Sequence, residues 1–477
     1  MVRAMAIHTA IGLFVSVFFA ASLHANSSAT SVKEFTLPEA VQYAVEHYPA
    51  VRAAMEQRNA AHAAISLARD NYMPKADTLW QTNRATRNNV AGVLLPQATM
   101  PNPSGPVLNS SRQSVWGSAA GLQIAWEPFD FGYRHAVVQS AQAGALRIDD
   151  QMKLTLLDVQ IAAADAALSV LAAEQSVHAM QADVDRRTVF DRSVRALVDA
   201  HLRPGADASR SAAELAAART QLILAQQNVA VAKASLAELL GLAGDQVEIL
   251  PGALLNSPEK ISVSEVAPID HPLAVVAQDR VLESKARVHI LDRSYVPKFE
   301  VQALGYGRGS GAMGTGKPSP DATQGLLPDT ANWAAGVTIK FGIFDFAAIH
   351  TKKKIEMANQ RRDEQLVSQT LQSITGESAR AKSVLDGAQR IAENTPVELQ
   401  ASQDAERQAR ARFQAGLATL VDVAEAQRLL VNAEMDDSLA QLRIWRALER
   451  LSAAQGNLQP FLDLVHRADA ASNTGGN

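Results

Sequence analysis

An internal repeat constrains the fold of this chain more than any other feature of its sequence. Residues 49–75 align without gaps on 272–298, and both segments end in Tyr-x-Pro-Lys. Residues 121–131 match 336–346 in the same order, including a shared Phe-Asp-Phe. Ordered matches of this kind indicate one structural unit that was duplicated, rather than two unrelated domains.

Each half predicts a helix, two strands, a very long helix, a tight turn and a further helix. Charged and apolar residues recur at helical spacing over 50–72 and 273–295. Residues 133–200 and 347–414 contain almost no glycine or proline, and a helix of that length would extend for about 100 Å. Such helices predict a coiled-coil-like tube, in which the abundant alanine allows close packing. Pro396 predicts a kink or break in the second long helix.

The N-terminal residues have the pattern of a secretory signal. Arg3 gives a basic start, an apolar run covers 11–21, and Ala25 provides a small residue for cleavage. The run is too short for a spanning helix, and we expect no later segment with the ~20 apolar residues that one requires. The mature chain is therefore predicted to be exported, and any part within a membrane must consist of β-strands.

Several segments alternate in the manner of membrane-barrel strands. Trp116 and Trp126 bracket a face of small and apolar residues, whereas polar residues occupy alternate positions between them. Trp333 and Phe341 bracket a second face of this kind. A tilted transmembrane strand needs about 9–11 residues and has aromatic residues at both membrane interfaces. The same alternation continues less completely in 76–82 and 299–303.

A water-soluble β-sandwich would show the same alternation, with its apolar face covering a core. The export signal, the aromatic brackets and the long helices together favour membrane strands. Four strands cannot close a barrel, because about eight are the practical minimum, and open edges in lipid leave backbone groups unsatisfied. Other copies of the chain must then supply strands. The loop-like segments 91–112 and 308–331, rich in Pro, Gly, Asn and Ser, would be extracellular.

Composition excludes several classes of function. The net charge is −4 with both signs mixed along the chain, so there is no basic face for nucleic acid. Cysteine is absent, which excludes disulfides and thiolate metal sites. The 11 histidines are scattered without the spacing of metal ligands. We therefore predict no enzymatic activity, no cofactor and no bound metal.

The layout resembles the TolC family of outer-membrane efflux proteins over essentially the whole mature chain. The repeated Tyr-x-Pro-Lys and Phe-Asp-Phe junctions carry the resemblance, and residues 411–427 are its most specific match. The resemblance implies a homotrimer whose copies each contribute four strands to one 12-stranded β-barrel in outer-membrane lipid, continued by an α-helical barrel in the periplasm. It also implies a passive conduit that works with an inner-membrane pump and a periplasmic adaptor (membrane fusion) protein.

The resemblance further implies that the turns at the far end of the helices contact the adaptor. A third match of the repeat aligns 203–205 with 414–416. A plain helix–turn–helix with glycine in the left-handed position after the helix is a compatible interpretation. Pro204 departs from the family pattern. The predicted contact residues are Arg203, Pro204, Gly205, Ala415, Gly416 and Leu417.

An acidic constriction just after the second turn is also implied. Asp422 and Glu425 occupy the matching positions, and their spacing places both on one helix face. Three copies would surround the axis with carboxylates, which attract cations in a narrow pore. An ordinary solvated acidic face is the alternative. An arginine that often accompanies this ring is replaced by Ala418.

Two functions other than an efflux channel stay open. One is a type I protein-secretion channel of the same architecture. The other is a periplasmic coiled-coil adaptor without a pore, which would explain the alanine-rich hairpins but not the bracketed strands or the repeat.

These inferences divide the chain into five predicted segments. The segments are the signal peptide (1–25), the first repeat (26–242), a linker (243–270), the second repeat (271–457) and a C-terminal tail (458–477).

Overall fold

The computed structural model describes residues 33–86, 113–242, 247–258, 266–313 and 318–474. The predicted signal peptide and the predicted loop 91–112 lie outside these residues. The helices are α1 (Leu37–His47), α2 (Pro49–Asp70), α3 (Tyr133–Asp199), α4 (Gly205–Leu240), α5 (Pro272–Asp292), α6 (Asp345–Gln414), α7 (Leu420–Ala454) and α8 (Gln459–Thr474). The strands are β1 (Lys33–Phe35), β2 (Lys75–Thr86), β3 (Ser114–Phe129), β4 (Val247–Ile249), β5 (Lys298–Ser310) and β6 (Thr330–Lys340).

The two predicted long helices are confirmed. α3 has 67 residues and α6 has 70, so each extends for about 100 Å. The prediction at Pro396 was a kink or a break. α6 continues through this proline, so the break is wrong and the kink stays a prediction. Proline removes one backbone hydrogen bond, but a tertiary contact holds the segment in place. The hydroxyl of the buried Thr395 donates to the carboxylate of Asp437 in α7 at 3.1 Å.

The long helices have different positions in one layer of helices. α3 packs against α2 and α4, and also against α5 and α7. α6 packs mainly against α5 and α7. Accordingly α3 buries 20 of its 67 residues, whereas α6 buries 7 of 70. α3 is thus an interior helix of the layer, with α2 and α4 at one edge and α6 at the other.

The main hydrophobic core lies beside the middle of α3. It includes residues of α1, of the last turns of α4 and α7, and of α8, and the short strands β1 and β4 pair in parallel next to it. Trp445 is fully buried there, its indole nitrogen donating to the carbonyl of Asn256 at 3.0 Å. The predicted linker and C-terminal tail therefore contribute ordered elements, β4 and α8, to this core.

One segment of α3 differs from the expectation that no later helix is long and apolar enough to span a membrane. An 18-residue window of α3 has a mean hydropathy of 1.6, and 44% of that window is buried within the chain. Alanine counts as apolar in such a scale although it is small, so an alanine-rich packing face also meets the criterion.

All four segments predicted as barrel strands lie in one antiparallel sheet. Its strand order is β2-β3-β5-β6, so β2 and β6 are its edges. Continuous registers join the neighbours, with one irregularity between Trp126 and Phe129 of β3. α3 begins just after β3, and α6 begins just after β6. The sheet therefore continues directly into the two long helices.

Candidate functional site

One face of the sheet is apolar, and most of it is uncovered by the described residues. Val301 lies beside Trp126 on β3 and beside Val337 on β6. Trp333 is 83% exposed and Val337 is 67% exposed. A soluble sandwich would cover such a face with a second layer, so this exposure favours contact with lipid. Other exposed members of this face are Trp80, Leu122, Ile124, Trp126 and Ile339.

The opposite face of the same sheet is mainly polar. Gln302 is buried there, and its side-chain nitrogen donates to the carboxylate of Glu300 at 2.7 Å. A small apolar cluster around Leu304 and Ala119 interrupts the polar residues. A polar face of this kind is typical of the inner wall of a water-filled barrel. Further polar residues of this face are Lys75, Asp77, Gln81, Asn83, Gln123, Thr338 and Lys340.

Two of the four predicted girdle residues lie at the end of the sheet nearest the helices. Trp126 is exposed, and its indole nitrogen donates to the carbonyl of Tyr72 at 3.1 Å. Phe341 follows the last residue of β6 and is also exposed. Its ring lies 5.5 Å from that of Phe346 in an edge-to-face arrangement. Both side chains combine an apolar body with an anchoring contact, as interfacial aromatic residues do.

The other two predicted girdle residues lie near the far end of the sheet. Trp333 is exposed, whereas Trp116 is half-buried, with the Arg84 guanidinium 5.4 Å from its ring. Here the backbone of Leu327 closely approaches Gly309 on the apolar face. The described part of the predicted loop 308–331 thus folds back over this end of the face, a position that the sequence did not predict.

Arg134 fastens the sheet to the helices. This buried side chain forms an ion pair with Asp130 at 2.8 Å and donates to the carbonyls of Asn71, at 3.1 Å, and of Glu127. Its guanidinium also lies 4.7 Å from the ring of Tyr72. Burial alone would raise the pKa of Asp130, but hydrogen bonds from Arg134 and the Gly132 amide outweigh it and lower that pKa. The carboxylate is therefore ionised at neutral pH.

The two helical turns have the same backbone motif, but in a register that differs from the sequence match. In the first turn the amide of Leu202 donates to the carbonyl of Leu197, and His201 is left-handed with φ 58°. In the second, Gly416 is left-handed with φ 74°. The structure therefore pairs His201 with Gly416. The predicted left-handed position is confirmed for Gly416 and is wrong for Gly205, which is the first residue of α4.

The physical reason for this difference is Pro204. Proline fixes φ near −65° and favours the start of a helix, and Pro204 is the N-cap of α4 with φ −66°. The chain must therefore reverse earlier, at His201. As a result Leu202 and Leu417 follow equivalent left-handed residues, and they are 70% and 72% exposed.

The two turns are joined by Arg203. Its guanidinium donates to the carbonyl of Phe413 at 2.7 Å and lies 4.3 Å from the Phe413 ring. Phe413 packs against Phe190 of α3, with ring centroids 5.4 Å apart. The described structure therefore brings the ends of both hairpins into one cluster, although Arg203 was predicted only as an adaptor contact.

Asp422 and Glu425 are both exposed on the first turns of α7. Asp422 caps the helix, accepting from the backbone nitrogen and the hydroxyl of Thr419, both at 2.8 Å. Glu425 accepts from Arg428 at 2.6 Å and 3.0 Å. The hydrogen bonds from Thr419 lower the pKa of Asp422, and those from Arg428 lower the pKa of Glu425. Both carboxylates are therefore ionised at neutral pH, but Arg428 offsets part of their charge.

The comparisons with known proteins agree with this geometry. Residues 40–242 and 270–457 match the family model described as outer membrane efflux protein. The chain is 25% identical to Protein CyaE of Bordetella pertussis, over 89% of this chain and 85% of CyaE. It is also 25% identical to the pyoverdine export outer membrane protein OpmQ of Pseudomonas aeruginosa, over 74% of this chain and 71% of OpmQ.

The fold is also that of a solved outer membrane protein. VceC of Vibrio cholerae superposes with a TM-score of 0.69 at 18% identity, covering 88% of this chain and 96% of VceC. The family resemblance that the sequence predicted is thus confirmed by a match along both halves of the chain. This chain belongs to the outer membrane efflux protein family.

Proposed function

We propose that this chain forms the outer-membrane channel of a tripartite efflux system and conducts substrates passively. The observation that carries the proposal is the largely uncovered apolar face of the sheet, opposite a polar face. A sheet with this distribution is stable with lipid on one side and water on the other. Energy for transport would come from an inner-membrane pump, and the export of pyoverdine named for OpmQ supports small-molecule cargo.

The open edges of the protomer support a closed ring of copies. β2 and β6 each lack a partner on one side within the described residues. The helical layer likewise has α2 and α4 at one edge and the weakly buried α6 at the other. Joining unlike edges is a heterologous contact that generates a ring when the rotation closes. We infer a homotrimer with 12 strands, in which the duplicated unit supplies alternate pairs of strands and helices.

Cysteine cross-linking tests this ring, since the native chain has no cysteine. Thr78→Cys in β2 is combined in turn with Ala331→Cys, Ala335→Cys, Val337→Cys or Ile339→Cys in β6, all on the apolar face. We expect oxidation to give covalent trimers for one or two neighbouring positions, because only one register juxtaposes the edges. Chains with one cysteine are the control. Failure of every pair, or ladders beyond three copies, would contradict the ring.

The helical part would lie in the periplasm and contact the adaptor at its turns. The proposed contact residues are those of the sequence analysis, and the structure adds Leu202 to them because it is as exposed as Leu417. Two exposed leucines on short turns provide apolar anchors for a helical partner. A role as a pore-less adaptor is less consistent with the sheet, because its apolar face would then be in water.

We further infer that Asp422 and Glu425 form an acidic constriction, tuned by Arg428. In the double variant Asp422→Asn/Glu425→Gln, conductance in a planar bilayer is expected to rise and cation selectivity to fall. Arg428→Gln should raise cation selectivity, because it releases the charge of Glu425. Asp386→Asn on the exposed surface of α6 is the matched control. Equal selectivity in all four proteins would refute the constriction.

A further inference from the structure

A cavity of about 600 Å³, open to solvent along one side, lies in the helical layer where α7 ends and α5 begins, between α3 and α6. A smaller cavity of about 250 Å³ adjoins it and shares His271, Ile374 and Ala454. The larger volume falls in the range of about 300–1,000 Å³ that is typical of small-molecule sites. Neither cavity has a role in the conduction proposed above.

Glu449 is the unusual residue of this cavity. It is 1% exposed and lies on the buried face of α7, between the buried residues Trp445 and Ser452. One of its carboxylate oxygens is fully buried without a hydrogen-bond partner among the described residues. A buried polar group is ordinarily paired, because desolvation of an unpaired group costs stability. Glu449 lines the cavity, and because this oxygen has almost no accessible surface, a ligand would supply the missing donor only after the side chain turns toward the cavity.

Acids outnumber bases among the described residues that line the cavity. Arg450 is the only arginine or lysine among these lining residues, and the carboxylates come from α3, α6 and α7. Two of the lining acids already have a basic partner: Arg446 lies 3.1 Å from Asp165, and Arg380 donates to Glu377 at 3.1 Å. Burial lowers the pKa of His271, which keeps this side chain neutral. The lining acids are Asp158, Asp165, Glu377 and Glu449.

The lining favours an organic cation over a metal ion. Within the described residues, no group of three or more His, Asp or Glu side chains is placed to hold a metal. Instead the acids share the cavity with the apolar side chains Ile161, Leu273 and Ile374. This combination fits a ligand with a positive group at one end and an apolar body at the other.

We propose that the cavity binds an organic ammonium ion, whose charged group pairs with Glu449 and whose apolar part packs against Ile161, Leu273 and Ile374. This site lies within one chain, is distinct from Asp422 and Glu425, and does not depend on conduction through a pore. Binding by the purified protein therefore tests it separately from the channel proposal.

The charge of Glu449 makes the expected binding sensitive to pH. Burial, followed by the charge of Asp165, raises the pKa of Glu449 to about 7, although Arg450 and Arg446 act in the opposite direction. Asp158, Glu377 and His271 also line the cavity, and burial raises the pKa of Asp158. Because an ammonium ion pairs with the ionised form, its affinity should fall as pH drops below 7, by up to about tenfold per pH unit.

Fluorescence titration of the purified full-length oligomer tests the proposal. The probe is monodansylcadaverine, which joins a dansyl ring to an alkylammonium, and dansylamide is the probe without the amine. At pH 8 we expect Glu449→Gln to weaken binding of the amine about tenfold or more and to leave dansylamide unchanged. Gln has nearly the shape of protonated Glu, so the fold should persist. An unchanged oligomer on an unheated gel checks this.

Glu393→Gln, on the exposed surface of α6, is the matched control and should bind as the wild type does. The loss of affinity below pH 7 should disappear in Glu449→Gln. Equal binding of the amine by wild type and Glu449→Gln overturns the proposal. So does an oligomer that excludes the probe from this cavity altogether, as it would if a basic side chain of a second copy filled the site.

Discussion

Replacing Val337 with arginine is expected to prevent the chain from assembling in the outer membrane. Val337 lies in the middle of β6 and is 67% exposed on the apolar face of the sheet. In a barrel wall this position faces lipid, where an arginine near the midplane costs about 2–4 kcal/mol. Every copy in the proposed ring would carry the change, so the cost would be multiplied in the assembled channel. The measurement is the amount of heat-modifiable oligomer in the outer-membrane fraction.

Thr338→Arg provides a control at the next residue of the same strand. Its side chain points to the opposite, polar face, where Glu300 is its neighbour across the strands. An arginine there can pair with Glu300 in water, so assembly should be close to that of the wild type. If the apolar face were instead exposed to water, Val337→Arg would be tolerated as well. Equal assembly of both variants would thus argue against a membrane barrel.

Replacing Arg134 with alanine is expected to destabilise the chain by about 3–5 kcal/mol, because removing one partner leaves a buried charge unpaired. Arg134 is buried, and it binds Asp130. It also donates to the backbone carbonyls of Asn71, just after α2, and Glu127, near the end of β3. Without it, Asp130 loses its main ionic partner at the junction of sheet and helices. The measurement is the midpoint of thermal or denaturant unfolding of the purified protein, followed by helical circular dichroism.

Two variants distinguish the loss of the Arg134 contacts from the general effect of removing an arginine. Arg390→Ala removes an exposed arginine that lies 3.9 Å from Asp386 on the same helix, and such surface pairs contribute about 0–1 kcal/mol. Arg134→Lys keeps the charge but cannot reproduce the forked contacts to three acceptors. Its unfolding midpoint should therefore lie between those of Arg134→Ala and the wild type. Similar unfolding midpoints for Arg134→Ala and Arg390→Ala would contradict the role assigned to Arg134.

Local sequence signals predicted the elements that depend on local physics. The alternation around Trp116–Trp126 and Trp333–Phe341 located β3 and β6, since strand faces follow a period of two residues. The scarcity of glycine and proline located α3 and α6 to within a few residues. The break at Pro396 was wrong because a contact to another helix, from Thr395 to Asp437, acts against the local preference.

Features that depend on tertiary contacts were not predictable in this way. Arg134 was missed because it is not repeated in the second half, although the Phe-Asp-Phe motif beside it is. The left-handed His201 was missed because no glycine marks it. In the sequence Glu449 resembles any charged residue of a helix, and only the packing of four helices around the cavity distinguishes it. The pair between Arg428 and Glu425 is different, because it is an i,i+3 contact within α7 that the spacing alone could have indicated.

We propose that copies of this chain, without any other protein, form a water-filled pore through a membrane. The measurement is the current through a planar lipid bilayer after addition of the purified wild-type oligomer, without pump, adaptor or nucleotide. We expect discrete steps of ohmic current with a preference for cations, from protein that needs detergent to stay in solution. Protein that is soluble without detergent and produces no steps at any concentration would contradict it.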